Sequence, residues 1–532
     1  MSLSAVASRL KQRRHEVAER LGTIAPPSET RRPPPPEGRL GRDEQRARAL
    51  REALEDLGPL FASFGRYLSS RLDLLTRREC AELETIVDRR APSPPGAVAT
   101  LVARELGERP EVRFHAFDPQ PYASGFWFER HHAWLTAGVP VDVTIVHPDA
   151  HAIVAADLPL LSLVEPHLSI PHAAFEAAVD DFRLTLLRRL DLTQQAAAII
   201  KLGDDARSNG LFDAPVCYRD ACAPGVLTLA RIEGLTLADV IEDAAFDREV
   251  VARRLCAAWL RQAVAGRVVP FELDPAAVRL RGDRLVIVDA AFEPHTSDAR
   301  LRFLSYVSAA AADDPDTASA WIIAEAQRQG VPADAGSEDE LLRRLRQAVP
   351  FRDGEWSGDD RLAEHLLVHW RAARAAGWVL QAHQTHLYRG LQAVTRYTDR
   401  LAPGQDLLAA ALQDERLRIG LAEAQQLIDP RQLPVMLDKM LATVINLPQK
   451  LDDVLTLAAE GRLRMKLNVP QGEHERRIRN TTVSLLSTLA VVIGAAFLAR
   501  HLAPAAGVAA ERLAAVLLLI AGAWLLRAAA TL

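Results

Sequence analysis

Apolar positions recur along this chain with two different periods, and the change from one to the other divides it. From about Asp43 to Arg90 the spacing is helical, with Leu54, Leu57, Phe61, Phe64 and Leu68 three or four residues apart, as one face of an α-helix requires. Pro92, Pro94 and Pro95 interrupt it. Between Val112 and Val146 the period shortens toward two, and Val141 to Val146 alternates as a half-buried strand should. Further strands are expected at Val226 to Ile232 and on either side of Gly282–Asp283, where VRL and RLVIVD flank a turn-forming dipeptide. A helix is expected from Arg248 to Ala265. Beyond Ser305 the pattern is helical to about Leu467, punctuated by Pro434, Pro448 and Pro470. The pattern alone predicts an α+β core with a helical flank.

The two ends read differently. From Thr481 to Ala499 there is no charge, close to the ~20 residues that cross a bilayer as a helix. Leu513 to Leu526 is a shorter apolar run that can return across the membrane if Arg527 snorkels, with an interfacial helix as the alternative. Arg476, Arg477 and Arg479 precede the first span, which places that flank and the main domain on the cytoplasmic side. Near the start, Lys11, Arg13 and Arg14 lead into polar helical sequence instead of an apolar core, so no secretory signal is expected. Pro26, Pro27 and Pro33 to Pro36 make residues 23 to 37 an extended, non-packing stretch.

Composition narrows the chemistry. A chain of 532 residues, 49% hydrophobic and 25% charged, holds two or more domains, and a net charge of -5 argues against nucleic acid as a partner. The cysteines Cys80, Cys217, Cys222 and Cys256 contain no CxxC pair, so neither a disulfide framework nor a structural zinc site is expected. Neither GxxxxGK nor GxGxxG occurs where a strand meets a helix. His365 and His369 share a helix face, with His383, His386 and Glu364 near them, but the order HExxH is absent and Leu366, Trp370 and Trp378 suit helix packing. His131 and His132 are assigned to a loop. Only five of the 64 basic residues are lysines, and none lies between Lys11 and Lys201, so chemistry that needs a lysine there is absent.

The segment FASFGRYLSSRLDLLTRRECAELETIVDR, Phe61 to Arg89, resembles the helical signature FxKxGQxxSxRxDLLPxxxxxELxxLxD of the UbiB/AarF (ADCK-like) family of atypical kinase-like proteins. The resemblance continues through FDPQPYAS (Phe117 to Ser124), VDVTIVHPD (Val141 to Asp149), LARIEGLTLADV (Leu229 to Val240) and FELDPAAVRLRGDRLVIVDAA (Phe271 to Ala291), and takes in residues 46 to 532. It implies a two-lobed protein-kinase-like fold, a helical extension over the nucleotide cleft, paired C-terminal membrane helices, and a role in quinone biosynthesis at the membrane.

Phosphoryl transfer in such a fold needs a lysine on the phosphates, carboxylate and asparagine ligands for Mg²⁺, and a base near the acceptor. By this resemblance the strand lysine falls on Thr144 and its helix glutamate partner on Gln195, so both halves of that ion pair are lost together. The signature KxGQ becomes Ser63, Gly65 and Arg66, with only the glycine kept. The alanine-rich loop becomes ASGFWFERH, placing Phe126, Trp127 and Phe128 where small residues let phosphates approach, so that the aromatics fill the cleft or cap it. The motif HxDxHPGN maps onto Pro270, Glu272, Asp274, Pro275, Ala276 and Ala277, leaving Glu272 at the base position and no ligand atom at Ala277. The DFG motif becomes Asp289, Ala290 and Ala291.

The expected organisation is a flexible stretch 1–42, a helical extension 43–110, an N-lobe 111–235, a C-lobe 236–345, a helical region 346–480 and a two-helix membrane anchor 481–532. The expected function is that of a pseudokinase: a non-catalytic accessory, scaffold or lipid-handling factor in ubiquinone biosynthesis. Its main domain would lie on the cytoplasmic side of a bacterial inner membrane. Its partners would be membrane lipids, quinone or isoprenoid intermediates and quinone-biosynthesis enzymes, with a homodimer left open. ATP and Mg²⁺ are the cofactors the resemblance implies; with these substitutions neither is expected to be used. The alternative is a divergent ATPase or kinase that binds Mg–nucleotide through Asp289, with Glu272 or Asp274, and takes its cation from Arg66, Arg130 or Arg231.

Overall fold

Helices come first because the early apolar residues repeat at three and four. The computed structural model describes residues 3–24, 42–209, 212–243, 246–282, 284–327, 335–347, 361–415 and 418, all within the unit Met1–Ala424. Its first helices are α1 (Leu3–Gly22), α2 (Arg42–Asp56), α3 (Pro59–Ser69), α4 (Arg77–Glu84), α5 (Pro95–Leu106) and the single turn α6 (Pro110–Arg113). Thr76 starts α4 with a capping box: its hydroxyl accepts the Glu79 N–H while Glu79 reaches back to the Thr76 N–H. Gly65 lies at a close approach of α3 to its neighbours: a Cβ there would stand 2.5 Å from Ile86 Cδ1 and 3.0 Å from Leu54 Cδ1, and these methyls would have to move aside.

The period-two region forms an antiparallel sheet of β1 (Phe114–Phe117), β2 (Ala123–Ser124), β3 (Phe128–Leu135), β4 (Pro140–Val146) and β6 (Val226–Ala230), in the order β1-β3-β4-β6 with β2 on β3. Val141, Val143 and Ile145 of β4 are buried in a cluster with Val98, Leu101 and Val102 of α5, so alternation turns Asp142 and Thr144 to the opposite face. Between β4 and β6 lie α7 (Ala150–Asp157), α8 (His172–Leu190), α9 (Leu192–Asn209) and β5 (Phe212–Asp213). Phe175 and Phe182 of α8 pack edge-on against Phe64 of α3, at 6.1 and 5.2 Å between ring centres, which fixes the helical extension to the body.

The second half contains α10 (Leu237–Glu242), α11 (Arg248–Ala265), β7 (Val268–Leu273), β8 (Val278–Arg281), β9 (Arg284–Ile287) and β10 (Ala290–Pro294). The expected helix 248–265 and the expected hairpin around Gly282 are both present; Asp283 itself lies outside the described residues. β7 pairs with β10, and β5 runs parallel beside β9, which a local pattern does not announce. There follow α12 (Ser297–Ala311), α13 (Pro315–Glu325), β11 (Ala326–Gln327), α14 (Ala335–Arg346), α15 (Leu362–Ala375), β12 (Val379–Leu380) and α16 (Ala382–Leu401). Helix α16 packs directly on β7 and α11, so residues 382–401 form part of the cleft wall. Among the described residues no helix is long and apolar enough to cross a membrane. The expected spans 481–499 and 513–526 lie outside the described residues, as does the proline-rich stretch 26–36.

Candidate functional site

A cavity of about 540 Å³ opens where α3, the β2–β3 loop, the end of α8, β7, β10 and α16 converge. Its floor is set by strand register. Ala291 of β10 stands opposite Glu272 of β7 and Ala290 opposite Leu273, which brings Asp289, just ahead of β10, beside the Glu272 carboxylate. Two carboxylates so placed require cations between them.

The cations are arginines. Arg189, in the last turn of α8, donates from Nη2 to Asp289 Oδ1 at 3.1 Å and Oδ2 at 3.0 Å, and from Nη1 to Glu272 Oε2 at 3.3 Å. Arg130 of β3 donates to Asp289 Oδ2 at 2.6 Å. Arg389 of α16, 1% exposed, donates from Nη2 to Glu272 Oε1 and from Nε to Ser70 Oγ at 2.8 Å, with Tyr67 and Phe271 rings at 4.6 and 5.1 Å. Arg130, Asp289, Arg189, Glu272 and Arg389 thus alternate in sign across the cleft. Burial by itself raises a carboxyl pKa, but Arg189 and Arg130 more than offset this at Asp289, and Arg389 and Arg189 do so at Glu272, so both stay below their ordinary values. Burial likewise opposes the charge on Arg189, and the two carboxylates outweigh it and raise its pKa.

Behind the ladder lies a second ionic knot. His386 donates from Nδ1 to Glu293 at 2.8 Å and from Nε2 to Asp181 at 2.9 Å, and stacks on Phe271 at 3.8 Å. Asp181 also accepts the Tyr67 hydroxyl at 2.8 Å. Burial works against the His386 imidazolium, and the two carboxylates overcome it and raise its pKa.

The aromatic loop forms one end of the cavity, with Phe126 and Trp127 each 7% exposed and Phe128 beneath the Arg189 guanidinium at 5.5 Å. Asp88 holds this loop by accepting the Phe126 N–H at 2.6 Å, and a Cβ on Gly125 would meet its carboxylate at 2.8 Å. From the other side His147 donates its Nε2–H to Gly125 O at 3.0 Å and its backbone N–H to Trp127 O at 2.9 Å.

Several expected site residues meet here. Asp289, Glu272, Asp274, Arg66, Arg130, Ser63, Ala277 and Ala290 all line the cavity. Thr144 is the register partner of Arg130 across β3 and β4, so a cation stands one strand over from the expected lysine position. Asp274 caps the turn that follows β7 by accepting the Ala276 N–H at 2.9 Å, and Arg66 reaches it only at 3.5 Å. Others lie elsewhere. Gln195 is buried on α9 away from the cavity, and Arg231 is bound to Asp142 at 3.1 Å over Trp134. The histidines spaced for a metal are engaged separately: His369 with Tyr306 at 3.2 Å, His383 with Glu325 at 2.6 Å, and His386 in the knot. His365 stacks on His369, and among the described residues none of these joins a metal-ligating group. His131 and His132 lie on β3 instead of in a loop, bonded to Asp118 O and Asp142 at 2.9 Å each. Arg189 and Arg389 carry the site without having been marked by any motif, whereas Asp88 falls on the last position of the helical signature; for the arginines the chain's preference for arginine over lysine was the one available signal.

The arrangement does not fit a Mg²⁺ ion. Both oxygens of Asp289 already accept guanidinium N–H groups, both oxygens of Glu272 do the same, and Ala277 supplies no ligand atom.

Residues 85–319 match the ABC1 atypical kinase-like domain. "Probable protein kinase UbiB" of Azotobacter vinelandii is 35% identical over 221 residues, 40% of this chain and 41% of that protein. The protein of the same name from Pseudomonas putida (strain GB-1) is 34% identical over 218 residues, 39% and 40% of the two chains. The chain therefore spans about two fifths of the length of these curated relatives. The solved complex of Rv3197 with erythromycin from Mycobacterium tuberculosis aligns with 68% of this chain and 92% of that one, at 20% identity and a TM-score of 0.38. The kinase-like α+β fold, mostly helical, and the match over residues 85–319 identify that part of the chain as an ABC1 atypical kinase-like domain, similar to the corresponding part of the UbiB proteins.

Proposed function

We propose that this chain is a pseudokinase of its family, membrane-anchored through residues 481–532, that serves quinone (ubiquinone) biosynthesis as a non-catalytic scaffold or lipid-handling factor. The observation that carries the reading is the double clamp on Asp289 by Arg130 and Arg189. A carboxylate that already accepts three guanidinium N–H groups on its roughly four lone-pair sites has its charge compensated, so a metal ion would have to displace an arginine, and the same ladder ties the sheet, α8, β7 and α16 together. The quinone pathway, the bacterial inner membrane and the lipid partners come from the family resemblance. The buried Phe126 and Trp127 support an apolar end to the cleft.

The test is titration of the full-length, detergent-solubilised protein with a fluorescent ATP analogue, with and without Mg²⁺. No Mg-dependent binding is expected up to millimolar nucleotide. Saturable Mg-dependent binding that disappears in Asp289→Asn would overturn the proposal. The double substitution Trp127→Ala, Phe128→Ala is expected to reduce co-purifying lipid or quinone enzymes, and unchanged co-purification counts against the scaffold role.

A second reading, a divergent ATPase, draws on one observation: Arg130, which lines the cavity, stands across from Thr144, and a guanidinium can also hold phosphate. It requires the clamp to open, and Mg-dependent binding in the same titration is its signature.

A further inference from the structure

Two half-buried thiols lie outside the cleft. Cys217 and Cys222 flank the short turn Arg219–Ala221 in the loop ahead of β6. Backbone pairing holds that loop in place: the Tyr218 N–H donates to Thr228 O at 3.0 Å, the Ala230 N–H to Val216 O at 2.8 Å, and Ala223 and Val226 exchange bonds of 2.8 and 3.0 Å. This frame brings the Sγ atoms to 3.7 Å. A disulfide, with its S–S bond of about 2 Å, is reached from there by a small side-chain movement.

The two sulfurs are not equivalent. Cys222 Sγ accepts the Thr228 backbone N–H at 3.4 Å and lies within hydrogen-bond reach of the Cys217 thiol, while its own S–H faces Tyr218 O at 3.3 Å. The Cys217 thiol, followed by the Thr228 N–H, lowers the Cys222 pKa against burial, and the same hydrogen bond raises that of Cys217. Cys80 and Cys256 are the contrast: both are buried, and burial pushes each thiol up to about 12.

We infer that Cys217 and Cys222 form a two-thiol oxidation site that a hydroperoxide converts reversibly to an intrachain disulfide. The Cys222 thiolate sulfur attacks the peroxide oxygen, an S–O bond forms as the O–O bond breaks, and the leaving alkoxide or hydroxide takes up a proton. Cys217 then loses its proton and attacks the Cys222 sulfur, forming the S–S bond and releasing water. Two thiols are oxidised by two electrons, and the peroxide is reduced to an alcohol, or water, and one further water. A dithiol reductant reverses the change.

The experiment treats the full-length protein with hydrogen peroxide, blocks remaining thiols by alkylation and maps peptides by mass spectrometry. Trypsin cuts after Arg219, between the two cysteines, so the disulfide appears as a cross-linked peptide pair that dithiothreitol separates. Cys80 and Cys256 are expected to remain thiols. Cys217→Ser is expected to leave a sulfenic acid on Cys222 that dimedone traps, and Cys222→Ser to slow oxidation of Cys217 several-fold. Absence of the cross-linked pair, oxidation of Cys80 and Cys256 at the same rate, or undiminished oxidation of Cys217 in Cys222→Ser would each overturn the inference.

Discussion

Replacing Asp289 with Asn separates the two readings of the cleft because they predict opposite signs. In a metal site the Asp289 and Glu272 carboxylates repel until a cation enters, so neutralising one of them stabilises the metal-free protein. In the clamp, Asp289 accepts three N–H···O bonds of 2.6 to 3.1 Å, and losing its charge leaves Arg130 and Arg189, 31% and 22% exposed, short of a counter-charge. With charge centres ~4 Å apart and an effective dielectric near ~20, each pair is worth about 4 kcal/mol before desolvation. Desolvation and partial access to water reduce this, and removing one partner costs about 2 to 3 kcal/mol. In a folded unit of this size, with an unfolding entropy of roughly 2.1 cal/mol/K per residue, a kcal/mol shifts the melting temperature by about 1 °C, so it falls by about 2 to 4 °C. The assay is urea and thermal unfolding of the full-length protein without metal. A double-mutant cycle against Arg189→Met should give a coupling near ~2 kcal/mol. A melting temperature that is unchanged or higher in Asp289→Asn, or a coupling below ~0.5 kcal/mol, would refute the clamp.

The rim of the site should behave differently. Arg66 and Asp274 are 36% and 44% exposed and 3.5 Å apart, so Arg66→Ala should change stability by less than ~0.5 kcal/mol in the same unfolding assay. Gly390→Ala puts a Cβ 2.9 Å from Trp259 Nε1 and 3.0 Å from Pro270 O, which are themselves hydrogen-bonded at 3.1 Å, and should cost about 2 kcal/mol by prising α16 from β7. Glu364 is 1% exposed, and burial, opposed by Arg77 and Arg361, pushes its carboxyl up to about 7 from 4.5. Between those values the folded chain holds a proton that the unfolded chain has released, so stability falls as pH rises through the window. Glu364→Gln should flatten that slope, measured as unfolding midpoint against pH; an identical slope would rule Glu364 out as its source.

Much of the secondary structure was legible because it is local. The helix Arg248–Ala265 and strand Pro140–Val146 follow from apolar spacing, and the hairpin of β8 and β9 from a turn dipeptide between two runs of strand formers. Motif order also located the cleft: Glu272, Asp274, Asp289, Arg66 and Arg130 were marked beforehand and all line it. His131 and His132 were misread as loop residues because Phe126 to Phe128 mask the alternation that begins β3.

What the sequence by itself determined was therefore the main helices and strands, the order of the motifs and the absence of any lysine between Lys11 and Lys201. Only the tertiary structure decided which cations meet the cleft carboxylates. Arg189 and Asp289 are 100 residues apart, Arg389 and Glu272 117, and a guanidinium on a helix face looks the same in sequence whether it meets water or a carboxylate. Helix and strand periods are written in neighbouring side chains, whereas charge neutralisation in the cleft depends on strand register and helix docking, which bring together groups that no local pattern relates.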